Sequence, residues 1–205
     1  MERAKGVRET RLKSSKAATR LKADTPTIFD EIRVSQGEYI LVPSVSSERR
    51  EYVPMGFMSP DVICSNLVFL IPDATLYHFG ILTSWPHMAW MRAVCGRLKS
   101  DYRYSKDIVY NNYPWPELST EGTDAALRAA IERTAQAILD ARARYPDSSL
   151  ADLYDPLTMP AELRRAHRDN DRAGCRAYGF PAPGPDFTEP DCVARLFERY
   201  CKLTQ

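Results

Sequence analysis

Two prolines one residue apart, in "NNYPWPE" at residues 111–117, divide the chain into halves of different texture. Pro114 and Pro116 fix φ and donate no backbone hydrogen bond, so no helix or central strand runs through them. Upstream, "EYILVPSVSS" and "REYVPMGFM" are β-branched and aromatic runs on either side of a polar corner, "SSERR"; they predict a pair of strands. "DVICSNLVFLIPDATLY" predicts one or two more buried strands, with Pro72-Asp73 as a turn. "TSWPHMAWMRAVCGRL" then changes to helical period. Trp85, Met88, Met91, Cys95 and Leu98 form one stripe, with Ser84 as N-cap and Pro86 in the first turn. Downstream of the prolines, "TDAALRAAIERTAQAILDARARY" puts Leu127, Ile131, Ala135, Ile138 and Leu139 on one helical face, capped by Thr123 or Asp124. "SLADLYD" reads as a short helix, and "MPAELRRAHRDNDRAGCRAYG" as a long one, with Pro160 near its start and Gly179 at its end. A last helix covers about 191–203. The expected fold class is α+β: a small mixed sheet with one principal helix over residues 28–117, followed by an all-α C-terminal helical subdomain over 118–205. Residues 1–27 are polar and basic and read as a linker, or as a helix that needs a neighbour.

A hydrophobic fraction of 44% allows a real core, and the net charge of +1 leaves only the distribution of charge to be informative. Residues 1–22 carry Arg3, Lys5, Arg8, Arg11, Lys13, Lys16, Arg20 and Lys22 against Glu2 and Glu9. A second basic stretch, 92–106, sets five cations against Asp101 alone. The five cysteines form no C-x-x-C and have no histidine at ligand spacing. A disulfide framework or zinc site is therefore not expected, and a reducing, cytoplasmic location is. No apolar run approaches the roughly 18 residues of a membrane span, so no membrane partner is expected. The basic N-terminus lacks the apolar centre of a secretion signal.

Several enzyme classes lose their motifs here. The nine glycines never occur as G-x-G, which removes the dinucleotide fingerprint and the P-loop. No Asn precedes Pro-Pro, and no Lys has an acid two positions before it, so the adenine-flipping and nuclease patterns are missing. His78, His87 and His167 stand at unrelated spacings and read as core or surface residues. No catalytic or metal-ligating residue is proposed.

The stretch "GRLKSDYRYS", residues 96–105, places Arg97, Lys99, Asp101 and Arg103 at every second position. On one extended strand this spacing predicts a single row of charges, with Tyr102 and Tyr104 between them. Such a row is often only a solvated strand face. Here cations outnumber acids, and the chemistry fits the DNA major groove. There guanine offers the O6 and N7 acceptors, and cytosine offers an N4 donor. A lysine and a carboxylate two residues apart, about 6.5–7 Å, reach both members of one G·C pair. Lys99 donates to guanine, Asp101 accepts from cytosine, and Arg103 reads a neighbouring purine. In the polar corner, Ser46, Ser47, Arg49 and Arg50 suit phosphate contacts that fix register. Arg97 and Lys106, at the edges of the ribbon, are assigned to phosphate with them.

At these residues the chain resembles the C-terminal third of the MmeI-like (type IIL) restriction–modification enzymes. The resemblance rests on "TPTIFDEIR", "SSERREYVPMGF", "IPDATLYHFGIL", "HMAWMRAVCGRLKSDYRYSKDIVYNNYPWP" and "LADLYDPLTMPAELRRAHRDNDRAGCRAYGF", nearly the whole chain. It implies a target recognition domain over 28–117 and a C-terminal helical domain that closes on double-stranded DNA. It also implies that Lys99 and Asp101 match a pair whose identity varies with the base read, and that Leu67 falls near another base-reading position. The parent enzyme would be an adenine-N6 DNA methyltransferase and endonuclease that uses S-adenosylmethionine and Mg2+. Neither cofactor is expected in this chain, whose partner would be the methyltransferase domain outside it. Residues 1–22 would then be the connector, whether the chain is an excised piece or a shortened reading frame. A rival from another class keeps the Ala-rich helix 123–144 as a protein-docking bundle and treats the basic ribbon as incidental. A self-contained enzyme is the third reading.

Overall fold

The computed structural model describes residues 2–29 and 35–205, which belong to two compact units, 1–34 and 35–205. The motif "TPTIFDEIR" runs into residues 30–34 and so lies partly outside the described residues.

In the first unit, the basic N-terminal stretch forms helix α1 (Glu2–Leu12), helix α2 (Ala17–Leu21) and a 3-10 turn (Lys22–Asp24). Neither helix buries a residue, because no apolar stripe exists to bury. Arg11 ties the pieces together: Nη1 donates to the carbonyls of Lys22 and Thr25, and Nη2 to that of Ile28, each at 2.7 Å.

The second unit carries the core. Strands β1 (Tyr39–Pro43), β3 (Gly56–Met58) and β4 (Val68–Pro72) make one antiparallel sheet in the order β3-β1-β4. Strands β2 (Val45–Ser46), β5 (Gly96–Leu98) and β6 (Asp101–Arg103) make a second, also antiparallel, in the order β2-β6-β5. The expected mixed sheet is thus two small antiparallel ones. The chain crosses between them at Ser44, whose N–H and hydroxyl both donate to the Leu67 carbonyl at 3.0 and 2.6 Å. Ser44 thus continues the β1–β4 register by one residue, and the next two residues pair with β6.

The expected principal helix is preceded by a second one: α3 (Leu76–Leu82) runs up to Thr83, and α4 (Trp85–Val94) begins after Ser84. Leu98 leaves the predicted helical stripe, because α4 ends at Val94 and Leu98 sits half-exposed in β5. Residues after Ser105 coil into one wide π-turn (Lys106–Tyr110); the Asn111 N–H reaches the Lys106 carbonyl at 2.8 Å. Beyond the prolines come α5 (Gly122–Ala143), α6 (Leu150–Leu153), α7 (Ala161–Ala177) and α8 (Glu189–Leu203).

Residues on both sides of "PWP" share one core. Phe79, Ile81, Leu82, Met88, Trp90 and Met91 from α3 and α4 pack with Ile131, Ala135 and Ile138 of α5. Glycine permits the two closest approaches. A Cβ on Gly80 would lie 2.5 Å from Cγ2 of Ile131, and one on Gly174 would lie 2.6 Å from Cβ of Ser84. The apolar face of α5, the candidate docking surface, is therefore used against α3 and α7. No described helix is long and apolar enough to cross a membrane.

Candidate nucleic-acid interface

The charged ribbon is a hairpin and not one strand. β5 and β6 pair Gly96 with Arg103, Arg97 with Tyr102 and Leu98 with Asp101, which leaves Lys99 and Ser100 as a two-residue turn. Lys99 has φ of 57°. A positive φ matches the twist that two-residue hairpin loops require, and it is unusual on a lysine. Residues paired across an antiparallel ladder share a face. Asp101, Leu98 and Arg103 therefore point to one side of the small sheet, and Arg97 and Tyr102 to the other. The expected single row of four charges is corrected to an exposed tip, Lys99, above Asp101 and Arg103.

The tyrosines between the charges belong to the core. Tyr102 and Tyr104 are buried, and Tyr104 Oη lies 3.0 Å from His87 Nε2. Arg97 is occupied in bracing the turn. Its Nη1 donates to the Ser100 carbonyl at 2.9 Å, its guanidinium lies 4.1 Å over the Tyr102 ring, and Glu48 is 3.9 Å away. Lys99 and Arg103 are exposed, and neither has an ion-pair partner among the described residues.

The polar corner packs beside the hairpin. The Glu48 N–H donates to Asp101 Oδ1 at 3.3 Å, so one carboxylate oxygen is already oriented and the other still has capacity to accept. Arg49 is exposed, and Ser47 Oγ accepts its N–H at 3.3 Å. Arg50 is half-buried, with Nη2 3.5 Å from the Ala151 carbonyl. Ser46 is 2% exposed. Its hydroxyl is withdrawn beneath the sheet, because Ser46 pairs with the inward-facing Tyr102, so the expected phosphate contact is corrected there. Lys106 is exposed at the start of the π-turn, 3.9 Å from Asp107. Leu67 is 67% exposed, and its carbonyl holds Ser44.

Beneath the corner lies a buried polar layer that the sequence reading missed. Tyr52 donates to Asp171 Oδ2, and the Trp85 N–H donates to Asp171 Oδ1, both at 2.7 Å. A carboxylate from α7 thereby caps the first turn of α4, where backbone donors lack partners. Burial pushes the Asp171 carboxyl up to about 7. The Tyr52 ring stacks on His167 at 4.1 Å, and Tyr154 Oη lies 2.6 Å from His167 Nε2. Burial holds the His167 pKa well below its usual value, so the imidazole is neutral; because Arg142 donates to Tyr154 Oη, the Tyr154 hydroxyl donates its hydrogen bond to His167 Nε2. Arg142, also buried, donates from Nε to Tyr154 Oη at 2.8 Å and again from Nη2, while its Nη1 donates to the Met55 carbonyl at 2.7 Å. Arg92 reaches the same corner from α4: Nη1 donates to the Glu51 carbonyl at 3.1 Å, and Nε and Nη2 clasp Glu189 of α8 at 2.8 and 2.7 Å. A signal for this layer was present. Residues 163, 167, 170, 171 and 174 fall on one face of α7, and three of them are polar, on the stripe where apolar residues belong.

Comparison with known proteins then decides the family. A family model described as "MmeI, target recognition domain" matches residues 1–117, and one described as "MmeI, C-terminal domain" matches residues 123–205. The chain belongs to the MmeI family. DNA methyltransferase A of Bacillus subtilis (strain 168) is 45% identical over 177 residues, 86% of this chain and 20% of that protein. A solved structure of the type IIL restriction–modification enzyme MmeI in complex with DNA superposes with a TM-score of 0.90 at 47% identity, over 99% of this chain and 26% of that one. This MmeI-family chain thus spans about a fifth to a quarter of the relatives it matches.

Proposed function

We propose that this chain is the double-stranded-DNA recognition module of a restriction–modification adenine-N6 methyltransferase. The observation that carries the reading is the likeness over 99% of the chain, at 47% identity, to an enzyme solved in complex with DNA. The recognition half extends to about residue 117, and the helical half follows it. In our reading Lys99 at the hairpin tip donates to guanine, Asp101 accepts from the paired cytosine, and Arg103, on Asp101's face, reads the next purine. Leu67 contributes an exposed apolar contact near the same groove. Ser47, Arg49, Arg50 and Lys106 hold phosphates and so fix register without reading sequence. Arg97 braces the turn and adds positive potential. Ser46 shapes the sheet from below.

The module supplies the address, and its partner in the intact enzyme is the methyltransferase domain. Among the described residues no group of His, Cys, Asp and Glu could hold a metal ion, and the glycines form no nucleotide-binding loop. S-adenosylmethionine and Mg2+ would be held by the catalytic domains of the intact enzyme, outside this chain.

A charge swap tests the base assignment. With this chain exchanged for the matching segment of an intact family enzyme, Lys99→Glu with Asp101→Arg should turn a G·C preference into C·G at one position of the site. The discrimination at stake is about 1–3 kcal/mol. Methylation mapping that returns the same site before and after the swap rejects the assigned roles.

A further inference from the structure

The outer face of α7 carries arginines that no base-reading or register role has used. Arg165, Arg168, Arg172 and Arg176 follow one another at spacings of three, four and four, which puts them on one side of a helix with 3.6 residues per turn. All four are exposed, while Leu163, His167, Asn170, Asp171 and Gly174 occupy the buried side. At 1.5 Å per residue the row runs for about 16 Å.

Acids neutralise little of it. Arg172 pairs with Asp169, and the neighbouring Arg164 pairs with Glu51 at 3.3 Å. Arg165, Arg168 and Arg176 have no ion-pair partner among the described residues. Like charges three and four apart repel, so an uncompensated row weakens its own helix. The row also begins beside the polar corner: Arg164 meets Glu51, and Tyr52 meets Asp171 from inside. An open groove lined by Met159, Ala161, Arg164, Arg165, Arg168 and Arg172 starts at this point.

We propose that this row is a second backbone-binding edge, which grips successive phosphates of duplex DNA without reading bases and extends the track that runs from the hairpin tip through the corner. The inference rests on the DNA-recognition reading and deepens it by assigning named contacts to the helical half. Guanidinium groups suit phosphate because they bind it with two parallel donors. An acidic protein surface is the weaker partner: no exposed aromatic anchor stands in the row to serve as the centre of a protein interface.

The test is equilibrium binding of the whole chain to a random-sequence duplex across a salt series. Each lost phosphate contact should lower the log–log salt slope by about 0.9, which at 0.1 M salt is roughly an eight-fold loss of affinity. The triple variant Arg165→Gln, Arg168→Gln, Arg176→Gln should therefore lose about 2.7 of slope and a few hundred-fold in affinity. The triple Lys variant should keep most of both, and Arg133→Gln, exposed on α5 outside the track, should leave this sequence-independent binding nearly unchanged. A Gln variant that keeps the parent slope, while the unaltered chain binds DNA, overturns the α7 edge alone, and an acidic protein partner gives the same result. An unaltered chain with no salt-dependent DNA binding overturns both this inference and the reading beneath it.

Discussion

The charged hairpin and the polar layer under the corner are built by opposite rules. The hairpin is two three-residue strands and a two-residue turn, braced from outside by Arg97. The layer beneath joins α4, α5, α7 and the segment after α6 through Asp171, Arg142, His167 and Tyr154, each of them buried. A buried polar group that loses its partner bears its full desolvation cost, whereas a group at an exposed turn regains water. The exposed residues of the hairpin can therefore change at small energetic cost, and the buried residues of the layer beneath cannot.

Breaking the lower layer should give the largest effect. Tyr154→Phe leaves two donors of a buried guanidinium and one imidazole acceptor unpaired, and should cost about 3 kcal/mol. The urea midpoint should fall with its slope unchanged. A loss below 1 kcal/mol would mean that the layer is no more tightly determined than the hairpin.

The next test uses pH. The folded Asp171 carboxyl, pushed up to about 7 by burial, keeps a proton that the unfolded chain releases near 3.9. Its stabilising contribution is fully present below about pH 4 and is lost as pH rises through about 7. Stability should drop by about 2–3 kcal/mol between pH 5 and pH 8 from this group. Asp171→Asn should remove that part of the slope. Equal pH dependence in both proteins would show that the carboxyl ionises freely in the fold.

The smallest effect belongs to the hairpin brace. Arg97→Ala gives up a cation–π contact at an exposed site, about 0.5–1 kcal/mol, and urea midpoints should barely move. A loss as large as that of Tyr154→Phe would erase the distinction between the two regions.

The two halves were legible in the sequence to different depths. Helices α4 and α5 could be read because apolar stripes at helical period mark them, and α7 because Pro160 and Gly179 bracket it; the expected caps Thr123 and Asp124 instead lie inside α5, which starts at Gly122 after Glu121. The hairpin was read as one strand because Lys99-Ser100 carries none of the Asn-Gly or Asp-Gly chemistry that announces a tight turn, and alternation alone cannot reveal a reversal. Ser46 was assigned to the surface on its residue type, and only its pairing with Tyr102 turns it inward. The buried layer escaped because "HRDNDR" resembles a solvated helix face until α5 covers it.

The Arg92 clasp has a consequence for synthesis. The cation that holds the Glu51 carbonyl is matched by Glu189, in the last helix of the chain. A polypeptide still on the ribosome, with α8 in the exit tunnel, has a corner whose chief brace lacks its counter-charge. The corner should thus gain its full bracing only once α8 has left the ribosome, and a stop before residue 189 should leave it without that strut.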